Sequence, residues 1–527
     1  MPSPVPPAAP LGLVLDPRSR LPLHRQIGEQ IRRAILERRL APGQRLPSSR
    51  RLAEELAVAR GTVLLALDRL AAEGYLVARA QSSLSVAKDL PDEMLAPPRW
   101  TAPLPSAGDA AAMPALSRRA RSVMRHAVQP TLREAPRAFP TGQPDRGTFP
   151  FALWARLLDR EWRRPSWDVA GAPHPFGHAG LRVAIAAYLG AARGFACEPD
   201  AVVITTGVRQ SLALLAWLVL DPGEAAWIEE PGFVGTREAL AAAAVHAVPV
   251  PVDAAGFAVE HALTRAPRAR LAIVAPAHQF PLGAMMGLQR RLELLSWAER
   301  NGTWIAEDDF DGEYRYSGRP LAPLRALDRS GRVAYLASFS KLLFPALRLS
   351  YIVLPESLVP AATRRMAAEP VRPSLLGQGA LARFIADGHL ATHLRRTRLL
   401  YAARQRALLA GLERHLAPWL SSTADPGGMH LVAHPARRVA ARFDDRIVAS
   451  AAAMAGLAVA PLSACYAARR RRHGLILGYA GTTEEDLAAG CVALSEVLRR
   501  TVSAPGVRQA GRRSAKSRVL WRGDEPK

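Results

Sequence analysis

The chain has 527 residues, 49% of them hydrophobic, and a formal net charge of +24; it is too long for one small module and too apolar to be disordered throughout. No run of about 18 consecutive apolar residues occurs, and residues 1–10 are proline-rich without the apolar stretch of a secretory leader. The three cysteines, Cys197, Cys465 and Cys491, are far apart and lack C-x-x-C spacing, so a membrane span, a disulfide framework and a zinc site are set aside and a reducing, cytoplasmic setting is expected.

Residues 1–17 are expected to be disordered. From Arg18 to Arg79 there are 13 arginines against 6 acidic residues, a density that suits phosphate contact. Apolar side chains at Leu23, Ile27, Ile31, Ala34 and Ile35 predict a helix over 23–36, which Pro42-Gly43 follows as a break. A short helix is predicted over 48–56, a tight turn at 57–59 and a helix over 61–73 with Val63, Leu67 and Leu70 inward. Residues 75–77 and 84–86 read as two short strands flanking a loop, so 18–88 form one small α+β domain.

Residues 89–135 turn to Pro, Ala and Ser and read as a linker. Over 136–500, strand-like runs at 201–205, 225–228, 271–275, 303–306 and 333–337 alternate with helical runs at 210–219, 236–244 and 288–300. Such alternation predicts an α/β domain with a mainly parallel sheet and ligands beyond the carboxyl ends of its strands. Residues 501–527 read as a basic disordered tail.

Lys341 is the most informative residue, because the chain holds only four lysines against 66 arginines and Lys341 is the only one in 136–500. An arginine-biased chain replaces ordinary solvated lysines, but guanidinium cannot form the Schiff base that an amine forms with an aldehyde cofactor. Lys341 lies in the hydroxyl-rich turn Ser338-Phe339-Ser340-Lys341, and Arg348 follows at clamp distance for a phosphate. A second strand end delivers Glu307, Asp308 and Asp309, where a carboxylate could hold a protonated pyridine nitrogen or simply form a solvated acidic turn. A third, Thr205-Thr206-Gly207, opens a helix whose free N–H groups suit a phosphate.

Leu46-Pro47-Ser48-Ser49-Arg50, Arg60-Gly61-Thr62-Val63 and Glu73-Gly74-Tyr75-Leu76 resemble the winged helix-turn-helix of the GntR family. Glu230-Pro231-Gly232-Phe233, His278-Gln279-Phe280-Pro281-Leu282-Gly283, Glu307-Asp308-Asp309-Phe310-Asp311 and Ser338-Phe339-Ser340-Lys341 resemble a fold-type I aminotransferase. Joined in this order, the two are similar to the MocR subfamily of GntR regulators.

The resemblance implies a PLP-dependent transferase fold with a smaller C-terminal α/β subdomain, pyridoxal 5′-phosphate (PLP) as cofactor, double-stranded DNA as partner, and a homodimer. Lys341 would carry PLP, Asp308 would face its pyridine nitrogen and Phe233 would stack on its ring. Arg348 and the turn after Thr205, with Thr206 and Gly207, would bind the phosphate, Ser338 and Ser340 would be further cofactor-binding residues, and His278 and Gln279 would lie near the phenolic oxygen. Arg50, Arg60 and Thr62 would meet DNA, the last two at the start of the recognition helix. Three departures stand out. Phe310 replaces the usual tyrosine, Ile476 falls where aminotransferases place a carboxylate-binding arginine, and Gln81-Ser82-Ser83 replaces wing glycines. The expected function is a DNA-binding transcriptional regulator that senses PLP or a PLP–amine adduct. The alternatives are an active aminotransferase tethered to DNA and a dimerisation scaffold with a vestigial site.

Overall fold

The computed structural model describes residues 11–16, 19, 21–79, 83–88, 90, 116–117, 120–121, 136–165, 167–171, 173–318, 322–369, 371–467 and 471–502. The chain folds as two compact units, Met1–Ala115 and Leu116–Lys527. The wing tip at Gln81-Ser82, most of the 89–135 linker and the tail beyond 502 lie outside the described residues.

The first unit contains α1 (Leu23–Leu36), α2 (Ser49–Glu55), α3 (Arg60–Ala72) and the antiparallel pair β1 (Leu76–Arg79) and β2 (Ser83–Val86). Its core forms where Ile27, Ile31, Ala34 and Ile35 of α1 meet Val63, Ala66, Leu67 and Leu70 of α3, both sets at helical spacing. Ser48 caps α2 by accepting the Arg51 N–H, and Ala57 turns the chain toward α3 in the left-handed region at φ 51°.

The expectation of disorder over 1–17 is corrected at residues 11–16, which run along α1 and are held there by two glutamines. Gln30 accepts the Val14 N–H at 3.0 Å and Gln26 accepts the Asp16 N–H at 2.9 Å, while Gln26 Nε2 donates to Asp16 O and Leu21 O. The amides satisfy backbone groups that have no strand beside them, and Leu11, Leu13 and Leu15 pack on the core.

In the second unit, α4 (Phe151–Arg163) and α5 (Ala179–Arg193) precede an eight-stranded sheet. Its strands are β3 (Val202–Thr205), β4 (Ala225–Glu230), β5 (His246–Asp253), β6 (Gly256–Phe257), β7 (Leu271–Val274), β8 (Trp304–Asp308), β9 (Val333–Ser338) and β10 (Ser350–Val353), in the spatial order β3-β10-β9-β8-β7-β4-β5-β6. The ladders from β9 through β8, β7 and β4 to β5 are parallel, whereas β10 is antiparallel to both neighbours. Alternate residues enter different cores: Val202 and Ile204 join one cluster and Val203 another. Burial on both faces explains the nearly continuous apolar runs.

Helices α6 (Val208–Val219), α7 (Val234–Ala242) and α8 (Leu288–Asn301) connect the strands, and α9 (Phe339–Leu342) follows β9 directly. Beyond the long α10 (His389–Gly411) lies the expected smaller lobe. Its antiparallel sheet, β11 (Leu420–Ser421), β12 (His430–Pro435), β13 (Ala460–Pro461) and β14 (Leu475–Gly478), packs with α11 (Asp445–Met454) and α12 (Glu484–Val502). Helix α12 continues two residues past the expected boundary at 500, because Val502 is buried in the core.

Candidate functional site

Within the first unit, Arg60 opens α3 and Arg50 lies on α2, both exposed, with Arg60 Nε 3.3 Å from Ser49 Oγ. Thr62, in the first turn of α3, is half-buried. Arg51 and Arg69 are tied to Glu55 and Glu73 at 3.0 and 2.7 Å, but among the described residues no carboxylate pairs with Arg50 or Arg60. Their charge is therefore available to a phosphate. The sequence reading missed Leu64 and Leu65, which α3 exposes beside these cations at 38% and 53%.

In the second unit, the carboxyl ends of β3, β4, β7, β8 and β9 border a cavity of about 220 Å³, as a parallel sheet of this kind prescribes. Seven of the ten expected cofactor residues line it: Thr206, Gly207, Phe233, Asp308, Ser338, Lys341 and Arg348. The turn after β3 is braced by Gln210, whose Oε1 accepts from the Thr206 N–H at 2.8 Å and its hydroxyl at 3.1 Å. Thr206, Gly207, Val208 and Arg209 then present the start of α6 to the cavity. Arg348 enters from a left-handed residue at φ 51°, a conformation costly for a side chain with a Cβ and often kept at binding sites.

Lys341 lies in α9, its Nζ 4.3 Å from the Phe310 ring centroid and 5.8 Å from that of Phe233. Burial lowers its pKa, against the pull of Asp308 and Asp311. Asp308 ends β8; burial pushes its pKa up to about 6, although Lys341 opposes the shift. Its Oδ1 is buried and has no hydrogen-bond partner among the described residues, and an acceptor in that state calls for a donor. A glycine leaves room for the ring: a Cβ on Gly235 would meet Phe233 Cζ at 2.6 Å.

Three expected residues do not line the cavity. Ser340 lies in α9 beside Lys341 but outside the cavity wall. His278 is buried, with Nδ1 3.0 Å from Asp311 and Nε2 3.2 Å from Asp425. Burial alone would lower its pKa, but the two carboxylates override it and raise it to about 10. Gln279 donates to Pro231 O at 2.7 Å and accepts from the Leu282 N–H at 3.1 Å, tying two loops together. The wall next to them belongs instead to Phe280 and Phe310. Glu229, Arg209 and Arg237 also line the cavity and were not singled out by sequence. Glu229 is pushed up to about 8 by burial, against hydrogen bonds from Ala275 and Gln279.

Ile476, in β14, is fully buried in an apolar cluster with Cys465, Leu462 and Phe280. Asp444, Asp445 and His473 form a cluster of metal-ligating type, but Asp444 caps α11 and Asp445 accepts from the Ser463 and Gly474 N–H groups.

The aminotransferase class I and II family matches residues 142–494, and the bacterial gntR regulatory family matches residues 23–86. The chain is 42% identical to MocR of Rhizobium meliloti, named a probable rhizopine catabolism regulatory protein, over 91% of this chain and 94% of that protein. This chain belongs to the MocR subfamily of GntR-family transcriptional regulators.

A second MocR-type relative, the pyridoxine biosynthesis transcriptional regulator PdxR of Corynebacterium glutamicum, is 32% identical over 91% of this chain and 96% of its own. The kynurenine aminotransferase of Pyrococcus horikoshii, solved with PMP, shares 25% identity and a TM-score of 0.64 over 75% of this chain and 97% of that one. The cofactor implied for this MocR-subfamily fold is PLP. The residues fit it: a half-buried lysine, a buried carboxylate oxygen with no donor among the described residues, an aromatic face, and an arginine, all lining one cavity. Among the described residues, no helix is long and apolar enough to cross a membrane.

Proposed function

We propose that this regulator is a homodimer in the cytoplasm whose first unit binds double-stranded DNA through Arg50, Arg60 and Thr62, and whose second unit senses PLP or a PLP–amine adduct. Bound PLP supplies an aldehyde that condenses with amines and a ring that withdraws electrons. Lys341 would hold it, Asp308 would accept from the ring nitrogen, Phe233 would stack on the ring, Thr206, Gly207 and Arg348 would hold the phosphate, and Ser338 would line the site beside them.

The observation that carries this reading is that Lys341 lines the same cavity as Asp308, whose buried Oδ1 has no donor among the described residues. A scaffold with no ligand has no need to gather a lysine amine, a carboxylate, an aromatic face and an arginine around one cavity. Sensing is favoured over turnover because Ile476 occupies the expected clamp position with an apolar, buried side chain. Without that charge-assisted grip, alignment of a substrate for efficient proton transfer is weakened.

The test combines PLP capture with DNA binding by the full-length protein. Borohydride is expected to fix PLP on Lys341 and not in Lys341→Ala, and PLP or an added amine is expected to change the affinity for DNA or its footprint in wild type alone. Trapped PLP with unchanged DNA binding would refute sensing and leave a regulator indifferent to its cofactor.

A further inference from the structure

Helix α3 keeps an apolar surface on the side that the core does not use. With Val63, Ala66, Leu67 and Leu70 buried, the helical period turns Gly61, Leu64, Leu65, Asp68 and Ala72 outward. Leu64 and Leu65 are 38% and 53% exposed. Leu64 lies one turn beyond Arg60, which Ser49 at the start of α2 holds beside Arg50, so the exposed leucines adjoin the two arginines that no carboxylate neutralises.

Gly61 is an observation of a different kind. Its φ is not positive, so no left-handed backbone demands glycine there. A Cβ at Gly61 would meet no other part of the fold within 4 Å, so packing does not demand it either. Glycine within a helix is nonetheless unfavourable relative to alanine. A glycine that the fold does not need, one turn before the exposed Leu65, suits a body that approaches the helix backbone closely from outside. The free charges of Arg50 and Arg60 make that body a polyanion, and the major groove of double-stranded DNA has the width to admit a helix.

We infer that α3 reads thymine: Leu64 and Leu65 pack on thymine C5 methyl groups in the major groove, and Gly61 lets the helix come close enough for them to reach. This deepens the DNA-binding reading of the first unit and rests on it. Thymine is the one base that presents a methyl group in that groove, and an apolar side chain is what distinguishes it. Phosphate contacts from arginine supply affinity but carry no sequence information, so base selection falls to the side chains beside them. Asp68, exposed one turn beyond Leu64, agrees with this orientation. Phosphates repel a carboxylate, whereas the cytosine amino group donates to one, so Asp68 suits a face turned to base edges.

The experiment uses full-length protein to select duplexes from a library with a random core of about two helical turns. The selected duplex is then measured by fluorescence anisotropy with each thymine replaced in turn by uracil, which lacks only the methyl group. At least one replacement is expected to weaken wild type about threefold to fivefold, the worth of burying one methyl group. In the Leu64→Ala, Leu65→Ala double variant the two duplexes should bind equally, with little loss on the uracil duplex and an unchanged salt slope, because no phosphate contact is removed. Gly61→Ala should melt no lower than wild type and still bind the selected duplex more weakly. Wild type that tolerates uracil at every position overturns the inference, as does salt-dependent binding that enriches no sequence. So does a double variant that keeps the thymine preference, or one that loses as much on the uracil duplex, which would make the leucines structural. Absence of binding to any duplex would instead defeat the DNA-binding reading itself.

Discussion

The Lys341 amine stands 4.3 Å from the centre of the Phe310 ring, so an aromatic face borders it where the family resemblance places a hydroxyl. A ring face favours the cationic amine. In the protein without PLP, burial lowers the Lys341 pKa, and Phe310→Leu should lower it further, by about half a unit for an interaction of about 0.5–1 kcal/mol. Lysine-selective ¹⁵N labelling gives a spectrum of only four side chains in which the titration can be followed. An unmoved Lys341 would show that the ring only fills space.

Asp308 carries a cost in the unliganded protein. Its folded pKa of about 6 lies above the ordinary 3.8, so folding favours the protonated form, and the stability this gives at acid pH is lost as pH rises from 3.8 through about 6. Asp308→Asn should therefore leave stability unchanged near pH 4 and raise it at pH 8, by on the order of 3 kcal/mol, while weakening PLP binding. Thermal melts at both pH values, with and without PLP, check the opposite signs. A variant less stable at pH 8 without PLP would mean that the carboxylate serves the fold.

On the recognition helix, Arg60 and Arg69 differ in whether a carboxylate neutralises them. Arg60→Ala should weaken DNA binding about tenfold and reduce the salt dependence by one phosphate contact. Arg69→Ala, which removes an arginine already bonded to Glu73 at 2.7 Å, should change affinity little. Fluorescence anisotropy at several salt concentrations distinguishes them; equal effects would misplace the DNA-facing side of α3.

Gln26 is 8% exposed and makes three backbone hydrogen bonds to the segment preceding α1. Gln26→Ala removes these three hydrogen bonds, at a cost of about 0.5–1.5 kcal/mol for each bond lost, although Asp16 O still accepts from the Ser19 N–H at 3.2 Å. Amide exchange at Asp16 should accelerate sharply, while exchange in the centre of α3 should not. Retained protection at Asp16 would indicate that the packing of Leu13 and Leu15 suffices.

Local pattern made much of this architecture legible. The apolar spacing of α1 gives its limits directly, the strand end at Thr205 follows from an apolar run meeting a polar turn, and β8 and β9 run on to Asp308 and Ser338, past the 306 and 337 read from the sequence. Strand β5 escaped because Pro249 and Pro251 weaken its strand signal; it is tolerated where its outer neighbour, β6, pairs with only Val252 and Asp253. Strand β10 was not read from the sequence, and its place between β3 and β9, antiparallel to both, makes it a strand.

The sequence by itself determined the order of the domains, the helical and strand periods, and the singular status of Lys341, because each is a matter of composition or of neighbours a few residues apart. Tertiary structure alone decided that His278 faces Asp311 and Asp425 instead of the cavity, that Asp308 keeps an oxygen without a donor, and that Arg237 reaches carbonyls 227 and 228 residues away. The physical reason is that a side chain's partners are set by where the backbone returns in space, and a buried polar group has its charge state and its need for a ligand fixed by those partners.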